Sequence, residues 1–101
     1  MEDYFSIVPG EPIETIAEAV FNYTVAQPEG KVVVDVNNFD ALTVDEIMRL
    51  FTELPKIENF VNPNFSGVFE LKNASWALST AVSAVFHTII YRAAPNTHFV
   101  S

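Results

Sequence analysis

The feature that most constrains the fold of this chain is a run rich in β-branched residues, Lys31-Val32-Val33-Val34-Asp35-Val36-Asn37. The run opens directly after Gly30 and ends at an acid and asparagines. Because valines occupy both alternating sets of positions, the run lacks the one-sided polarity of a surface strand and is typical of a buried central strand. We therefore predict a central strand here, with helices covering both of its faces.

The segments on either side of this run have helical patterns. From residue 12 to about residue 26, apolar side chains recur at helical spacing, and acidic side chains fill the early turns, where the helix dipole favours negative charge. The predicted apolar face consists of Ile13, Ile16, Ala17, Val20 and Val25. After the run, Thr43-Val44-Asp45-Glu46 fits a capping box, which predicts a second helix with Thr43 as its N-cap and its end at Pro55.

Three more strands and a third helix are predicted from the rest of the chain. The strands are residues 4–8, 67–72 and 97–101, and residues 56–66 are predicted to be a loop held down by Phe60 and Phe65. The third helix covers residues 76–92 and begins after a capping segment, Asn73-Ala74-Ser75. Its predicted apolar stripe is Leu78, Val82, Val85, Phe86 and Ile89, beside a strip of small residues, Ala77, Ala81 and Ala84.

Strands and helices alternate along the whole chain in this interpretation. Such alternation is expected of a mostly parallel sheet whose connections are helices. At 101 residues the chain is long enough for one hydrophobic core. We predict a single α/β domain over residues 1–101, with a four-stranded, mostly parallel sheet and three helices.

Charge and composition exclude several classes of function. Thirteen acidic residues against five basic ones give a formal net charge of −8. Binding to nucleic acid needs clustered Lys and Arg, and docking on anionic membranes needs basic segments. The chain contains no cysteine, which excludes disulfides and thiolate metal sites. The first residues lack the pattern of a signal peptide, and no apolar run reaches the roughly 20 residues of a spanning helix, so we expect a cytoplasmic protein without membrane insertion.

The middle and C-terminal parts resemble a known family. The pattern is Gly30-Lys31-Val32-Val33-Val34-Asp35-Val36, a capped helix, a strand at residues 67–71, a helix rich in small residues and a strand at residues 98–100. Over about residues 28–101 it resembles STAS domains, the sulfate-transporter and anti-sigma-factor-antagonist modules, whose relatives include lipid-binding CRAL-TRIO-like folds. The resemblance implies a non-enzymatic regulatory or scaffolding domain.

The chain departs from the STAS pattern at the family's phosphorylation segment. Antagonist members carry an Asp-Ser-Ser-Gly-like segment between this strand and helix, whereas this chain has Phe39-Asp40-Ala41-Leu42-Thr43. Only Thr43 offers a hydroxyl at the helix start, so the resemblance points to Thr43 as the candidate phospho-acceptor. A phosphate there would meet the free N–H groups of the helix, but Asp45 and Glu46 would repel it. The competing interpretation is that Thr43 only caps the helix.

Two further sets of residues are candidates for a ligand site. Asp35 ends the central strand, where open parallel sheets bind ligands, and Asp40 and Asp45 could join it around a divalent cation. The alternative is that Asp35 accepts hydrogen bonds from loop amides. Ser75, Ser79 and Thr80 begin the third helix and could accept an anion or a nucleotide, although no glycine precedes them as in phosphate loops. Their ordinary roles would be capping and helix surface.

Exposed aromatic residues and a sheet edge indicate contacts with other proteins. Trp76 lies at a predicted helix start, and four phenylalanines lie in loops or at element ends, where they form either an interaction patch or loop anchors: Phe39, Phe60, Phe65 and Phe99. An uncovered edge of the sheet predicts a homodimer as an alternative to a monomer. The two histidines have no nucleophile or orienting acid at a catalytic spacing, and we predict no cofactor.

These observations favour a protein that binds another protein and catalyses nothing. The first alternative is a domain that binds a small ligand, a lipid or a nucleotide, near the end of the central strand and the start of the last helix. An enzyme that uses Asp35 with a metal ion is the least favoured hypothesis.

Overall fold

The structure, a computed structural model, describes residues 4–7, 10–39 and 43–101. The described residues form four strands and three α-helices in the order predicted, together with two short 3₁₀ turns. The strands are β1 (Tyr4–Ser6), β2 (Lys31–Asp35), β3 (Val68–Lys72) and β4 (His98–Val100). The helices are α1 (Ile13–Ala26), α2 (Val44–Glu53) and α3 (Trp76–Ala93), and the 3₁₀ turns are Val36–Phe39 and Leu54–Lys56.

The four strands form one sheet in the order β1-β2-β3-β4, and every neighbouring pair is parallel. Val32 of β2 stands opposite Phe5 of β1 on one side and Phe69 of β3 on the other. The prediction of an α/β fold with a four-stranded sheet and three helices is confirmed. The central strand is shorter than predicted, because Val36 and Asn37 belong to a 3₁₀ turn.

All three helices pack on one face of this sheet. That face consists of Phe5, Ile7, Val32, Val34, Phe69, Leu71 and Phe99, and these residues join one hydrophobic cluster with the buried sides of α1, α2 and α3. Contacts between aromatic rings also place the helices on this face. The ring centroids of Phe5 and Tyr23 of α1 are 5.6 Å apart, and those of Phe69 and Phe86 of α3 are 5.3 Å apart.

The prediction that helices cover both faces of the central strand is therefore wrong. When parallel strands are added in chain order and every crossover is right-handed, each helix is placed on the same side of the sheet. Helices on both sides need a reversal of the strand order, which this sheet does not contain. The described residues form two layers, one of helices and one of strands.

Helix α1 shows how tertiary contacts changed a predicted helix face. Ile16, Ala17 and Val20 are buried as predicted, but Val25 is exposed and Thr24 is fully buried in its place. The Thr24 hydroxyl donates to the carbonyl of Phe21 at 2.9 Å and accepts the amide of Asn62 at 3.0 Å. The buried polar group is thus satisfied, and α1 is tied to the loop after α2.

The loop before β3 is held against the core by its aromatic side chains, as predicted. Phe60 and Phe65 are buried, and their ring centroids lie 5.9 Å and 6.1 Å from that of Phe69. At the end of this loop the chain passes so close to β2 that a Cβ on Gly67 would collide with the carbonyl oxygen of Gly30 and the Phe65 ring. Glycine is therefore required at the start of β3 by the close approach of two strands.

Candidate functional site

Asp35 lies where the sequence predicted it, at the carboxyl end of β2. One carboxylate oxygen, Oδ1, accepts hydrogen bonds from the Asn73 side-chain amide at 2.7 Å and from the Asn37 backbone amide at 3.0 Å. The Asn73 bond, followed by the Asn37 bond and the charge of Lys72, holds the pKa of Asp35 below its ordinary value. The interpretation that Asp35 accepts hydrogen bonds from loop amides is confirmed.

The predicted oxygen cluster around a cation is not assembled by the described part of the chain. No group of three or more Asp, Glu or His side chains in residues 4–7, 10–39 and 43–101 could hold a metal ion. Asp45 is exposed in the first turn of α2. Asp40 lies outside the described residues.

Thr43 is the N-cap of α2. Its hydroxyl oxygen accepts the backbone amide of Glu46 at 3.2 Å and donates to the Glu46 carboxylate at 3.3 Å. Thr43 is exposed, so a modifying enzyme could reach it. However, a phosphate at this hydroxyl would displace the cap and meet a carboxylate already in contact with the oxygen. The capping interpretation accounts for both hydrogen bonds.

Ser75 is the N-cap of α3. Its Oγ accepts the backbone amide of Leu78 at 3.2 Å, and the preceding Asn73 adopts a left-handed backbone conformation with φ of 61°. Ser79 is half-buried, whereas Thr80 is exposed on the helix surface. The hydroxyl of Ser75 is thus used in a cap, and the anion site at Ser75, Ser79 and Thr80 stays a prediction.

The core beneath the helices is filled by aromatic rings. A cavity of about 10 Å³ lies between the sheet and helices α2 and α3, lined by Ile7, Phe51, Leu54, Phe60, Phe69, Phe86 and Ile90. This volume is no larger than a single water molecule requires, and the lining is wholly apolar. A lipid chain or a nucleotide base therefore finds no room in this part of the core.

The candidate aromatic residues separate into anchors and one exposed ring. Phe60 and Phe65 are buried, and Phe99 is packed on Phe86 with ring centroids 4.9 Å apart, so these three are not part of an interaction patch. Phe39 belongs to the 3₁₀ turn after β2. Trp76 is 83% exposed, so among these aromatic candidates it is the one available for an interaction patch.

The face of the sheet opposite the helices is a surface that the sequence interpretation missed. We call it the open face; alternation along the strands assigns to it Tyr4, Ser6, Lys31, Val33, Asp35, Val68, Glu70, Lys72, His98 and Val100. Tyr4 and Val100, on the two edge strands, are 47% and 48% exposed. None of the three described helices contributes to this face.

The centre of the open face combines valines with an ion pair. The Lys31 Nζ lies 2.9 Å from the Glu70 Oε1. In the strand register Lys31 is opposite Val68 and Glu70 is opposite Val33, so the pair runs diagonally between the two valines. Val33 is only 4% exposed although no described helix lies above it. Its register neighbours are Ser6 on β1 and Glu70 on β3, and the methylene groups of Glu70 and Lys31 are apolar surface that can pack over it.

The open face differs from the rest of the chain in its charge. It carries two lysines, one aspartate and one glutamate, so its formal charge is zero when His98 is neutral. The chain as a whole has a formal net charge of −8, so the excess of acids lies elsewhere, including Glu14 and Glu18 on α1 and Asp45, Glu46 and Glu53 on α2. A partner can therefore approach the open face without facing a strong local field.

Comparisons with known proteins do not extend these observations. No family model, no curated protein and no solved structure matches the chain. The resemblance to STAS domains remains a prediction from the sequence pattern. Among the described helices, none has the combination of length and apolarity that crossing a membrane would require.

Proposed function

We propose that this chain is a non-enzymatic binding domain that recognises another protein through the open face of its sheet. The observation that carries the proposal is an all-parallel sheet with all three helices on one face. All-parallel sheets occur almost only with both faces covered, because their strands carry apolar residues on both sides. The open face fits this rule if a protein partner supplies the missing layer.

The composition of the open face suits a protein partner. Tyr4 and Val100 stand at the edges with half of their surface exposed, and Val68 is half-buried between them. The exposed apolar side chains lie at the two edges of the face and the polar pair lies at its centre, so a partner that covers the whole face would bury both apolar edges. The Lys31–Glu70 pair offers a donor and an acceptor near the centre, where paired charges give specificity more than affinity.

The proposal of a regulatory or scaffolding role without catalysis has support from the other candidate residues. The hydroxyls of Thr43 and Ser75 act as helix caps, and the carboxylate of Asp35 is held by two amide donors. The small-ligand alternative has less support inside the core, where the cavity between the sheet and helices α2 and α3 measures only about 10 Å³. The STAS resemblance points to the same class of function.

Site-specific photo-crosslinking in an extract of the source cells tests the proposal. A photoreactive side chain replaces Val100 on the open face or, as a control, Val25 on α1, which is equally apolar and 51% exposed. We expect a discrete heterologous adduct from position 100 that is absent from position 25. No adduct at position 100, or the same adducts from both positions, would contradict the proposal.

A further inference from the structure

The outer surface of α3 differs from the outer surfaces of the other two helices. The exposed residues among its described side chains are Trp76, Ala77, Thr80, Ala84, His87, Thr88, Tyr91, Arg92 and Ala93, and at 100° per residue all but Ala93 fall on one side of the helix. This set contains no Asp, Glu or Lys, and its one charged residue is Arg92 in the last turn. By contrast, α1 exposes Glu14 and Glu18, and α2 exposes Asp45, Glu46 and Glu53.

Two aromatic residues mark the ends of this surface. Trp76 is 83% exposed and Tyr91 is 63% exposed, the two largest values among the exposed large apolar side chains of the described chain. Small residues lie between them, with Ala84 midway along the helix. A helix surface that has no acidic residues and carries exposed aromatics at its ends is typical of a helix that packs against a partner.

We infer that a second copy of this chain binds to the outer surface of α3, as an antiparallel helix pair with a two-fold axis at Ala84. In such a pair, residues equally far from Ala84 on its two sides meet across the axis. Ala77 then faces Tyr91 of the other copy, so a large side chain meets a small one. Thr80 faces Thr88, and Ala84 faces itself, which allows the helices to approach closely.

The charges of the chain favour the same arrangement. Two copies with a formal net charge of −8 each repel one another, and the outer surface of α3 is a helix surface on which no acidic residues would face each other. Antiparallel packing also places each helix N-terminus beside the C-terminus of its partner, which the helix dipoles favour.

The size of the surface sets the expected strength of the dimer. Trp76 and Tyr91 together expose about 300 Å² per copy, at the sizes usual for aromatic side chains. With the residues between them, the pair would bury about 1,000 Å² in total, the lower limit for specific interfaces. We therefore expect a reversible dimer that dissociates on dilution, with a Kd on the order of micromolar.

Sedimentation equilibrium combined with fluorescence over a dilution series tests this inference. Trp76 is the only tryptophan, so its emission reports on this surface alone. We expect the mass to rise from monomer to dimer with concentration, and the emission maximum to move to shorter wavelength in parallel. A chain that stays monomeric, or a dimer whose formation leaves the emission unchanged, overturns the inference.

Three glutamate variants locate the interface. Ala84→Glu places two carboxylates face to face at the axis and should abolish the dimer, while Ala26→Glu makes the same change at an exposed alanine of α1 and should not. Val100→Glu tests a dimer formed through the open face. Loss of the dimer in Ala26→Glu or Val100→Glu, or its survival in Ala84→Glu, overturns the inference. If circular dichroism shows Ala84→Glu unfolded, Thr80→Glu replaces it.

The test of the homodimer and the test of the proposed function can give different results. The α3 surface and the open face are formed by different residues, so Ala84→Glu should leave the photo-crosslink from position 100 unchanged. A homodimer that forms through α3 without any heterologous adduct would support this inference and contradict the proposed function.

Discussion

The Nζ of Lys31 lies 2.9 Å from the Oε1 of Glu70, and the pair joins β2 to β3 on the face of the sheet that the helices leave uncovered. Both side chains keep contact with solvent, at 42% and 20% exposure. An ion pair in such a place contributes little to stability, because water screens it. Its position between Val33 and Val68 is more informative, since it makes the centre of the open face neutral in charge.

We expect the Lys31–Glu70 pair to be weakly coupled. Lys31→Met and Glu70→Gln, separately and together, should give a coupling free energy of about 0.2–1 kcal/mol in a double-mutant cycle measured by urea unfolding. A coupling free energy above about 2 kcal/mol would mean that the pair is buried, in disagreement with an open face.

The hydrogen bond from Asn62 to Thr24 should matter more than this ion pair. Thr24→Val removes the acceptor of the Asn62 amide and leaves that part-buried group unsatisfied, so the free energy of unfolding should fall by about 1–2 kcal/mol. Thr52→Val is the matched control, because the Thr52 hydroxyl bonds only a carbonyl of its own helix, that of Met48 at 2.8 Å. Equal losses in the two variants would show that the bond between α1 and the loop is unimportant.

Gly67 should tolerate no side chain. In Gly67→Ala the new methyl group collides with the Gly30 carbonyl and the Phe65 ring, and we expect a loss of about 2–3 kcal/mol, since both neighbours are held by the core. Gly10→Ala is the comparison, because nothing lies within 4 Å of its Cβ and only a φ of +87° opposes the change. That strain alone should cost about 1 kcal/mol. Chemical denaturation ranks the two variants, and the reverse order would be incompatible with the close approach of β2 and β3.

The hydroxyl of Thr43 should act as a helix cap. Thr43→Ala should lower the free energy of unfolding by about 1 kcal/mol, whereas Thr43→Ser keeps the oxygen that accepts the Glu46 amide and should be close to the unsubstituted chain. Thermal or urea unfolding measures both. If alanine and serine behaved alike, the cap would not explain why a threonine stands at this position.

The Asp35–Asn73 hydrogen bond predicts a dependence of stability on pH. Because this bond lowers the pKa of Asp35 in the folded chain, ionised Asp35 stabilises the fold above the ordinary value of 3.8, and this contribution disappears as the pH falls through the folded-state pKa. Asn73→Ala removes the largest cause of the shift, so the pKa should rise towards 3.8 in an NMR titration of the carboxyl carbon. An unchanged pKa in this variant would mean that the shift has another origin.

The local elements could be predicted from the sequence because each has a local physical cause. Thr43 and Ser75 cap α2 and α3 in the structure, and the apolar spacing of Ile16, Ala17 and Val20 gave the buried side of α1. The apolar pattern was misleading one turn later, at Val25. There a hydrogen bond to the distant Asn62 favours the burial of Thr24, and no local pattern contains that partner.

The order of the strands could not be predicted in this way, and the functional interpretation depends on it. Valines on both sides of β2 suggested two covered faces, yet only Val32 and Val34 meet the helices. A signal for the open face was present in β3, where Phe69 and Leu71 alternate with Glu70 and Lys72. Such alternation is typical of a strand with one solvated face.

Thiol labelling of two positions in β3 decides whether one face of the sheet is open. The chain has no cysteine, so Val68→Cys on the open face and Leu71→Cys on the helix face each introduce a single thiol. Because Val68 is half-buried, we expect the thiol at position 68 in dilute folded protein to react with a small aromatic disulfide more slowly than in urea, but without unfolding of the chain. The thiol at position 71 should react only through unfolding. Protection of both positions to the same degree would show that the sheet is covered on both faces and would contradict the two-layer arrangement.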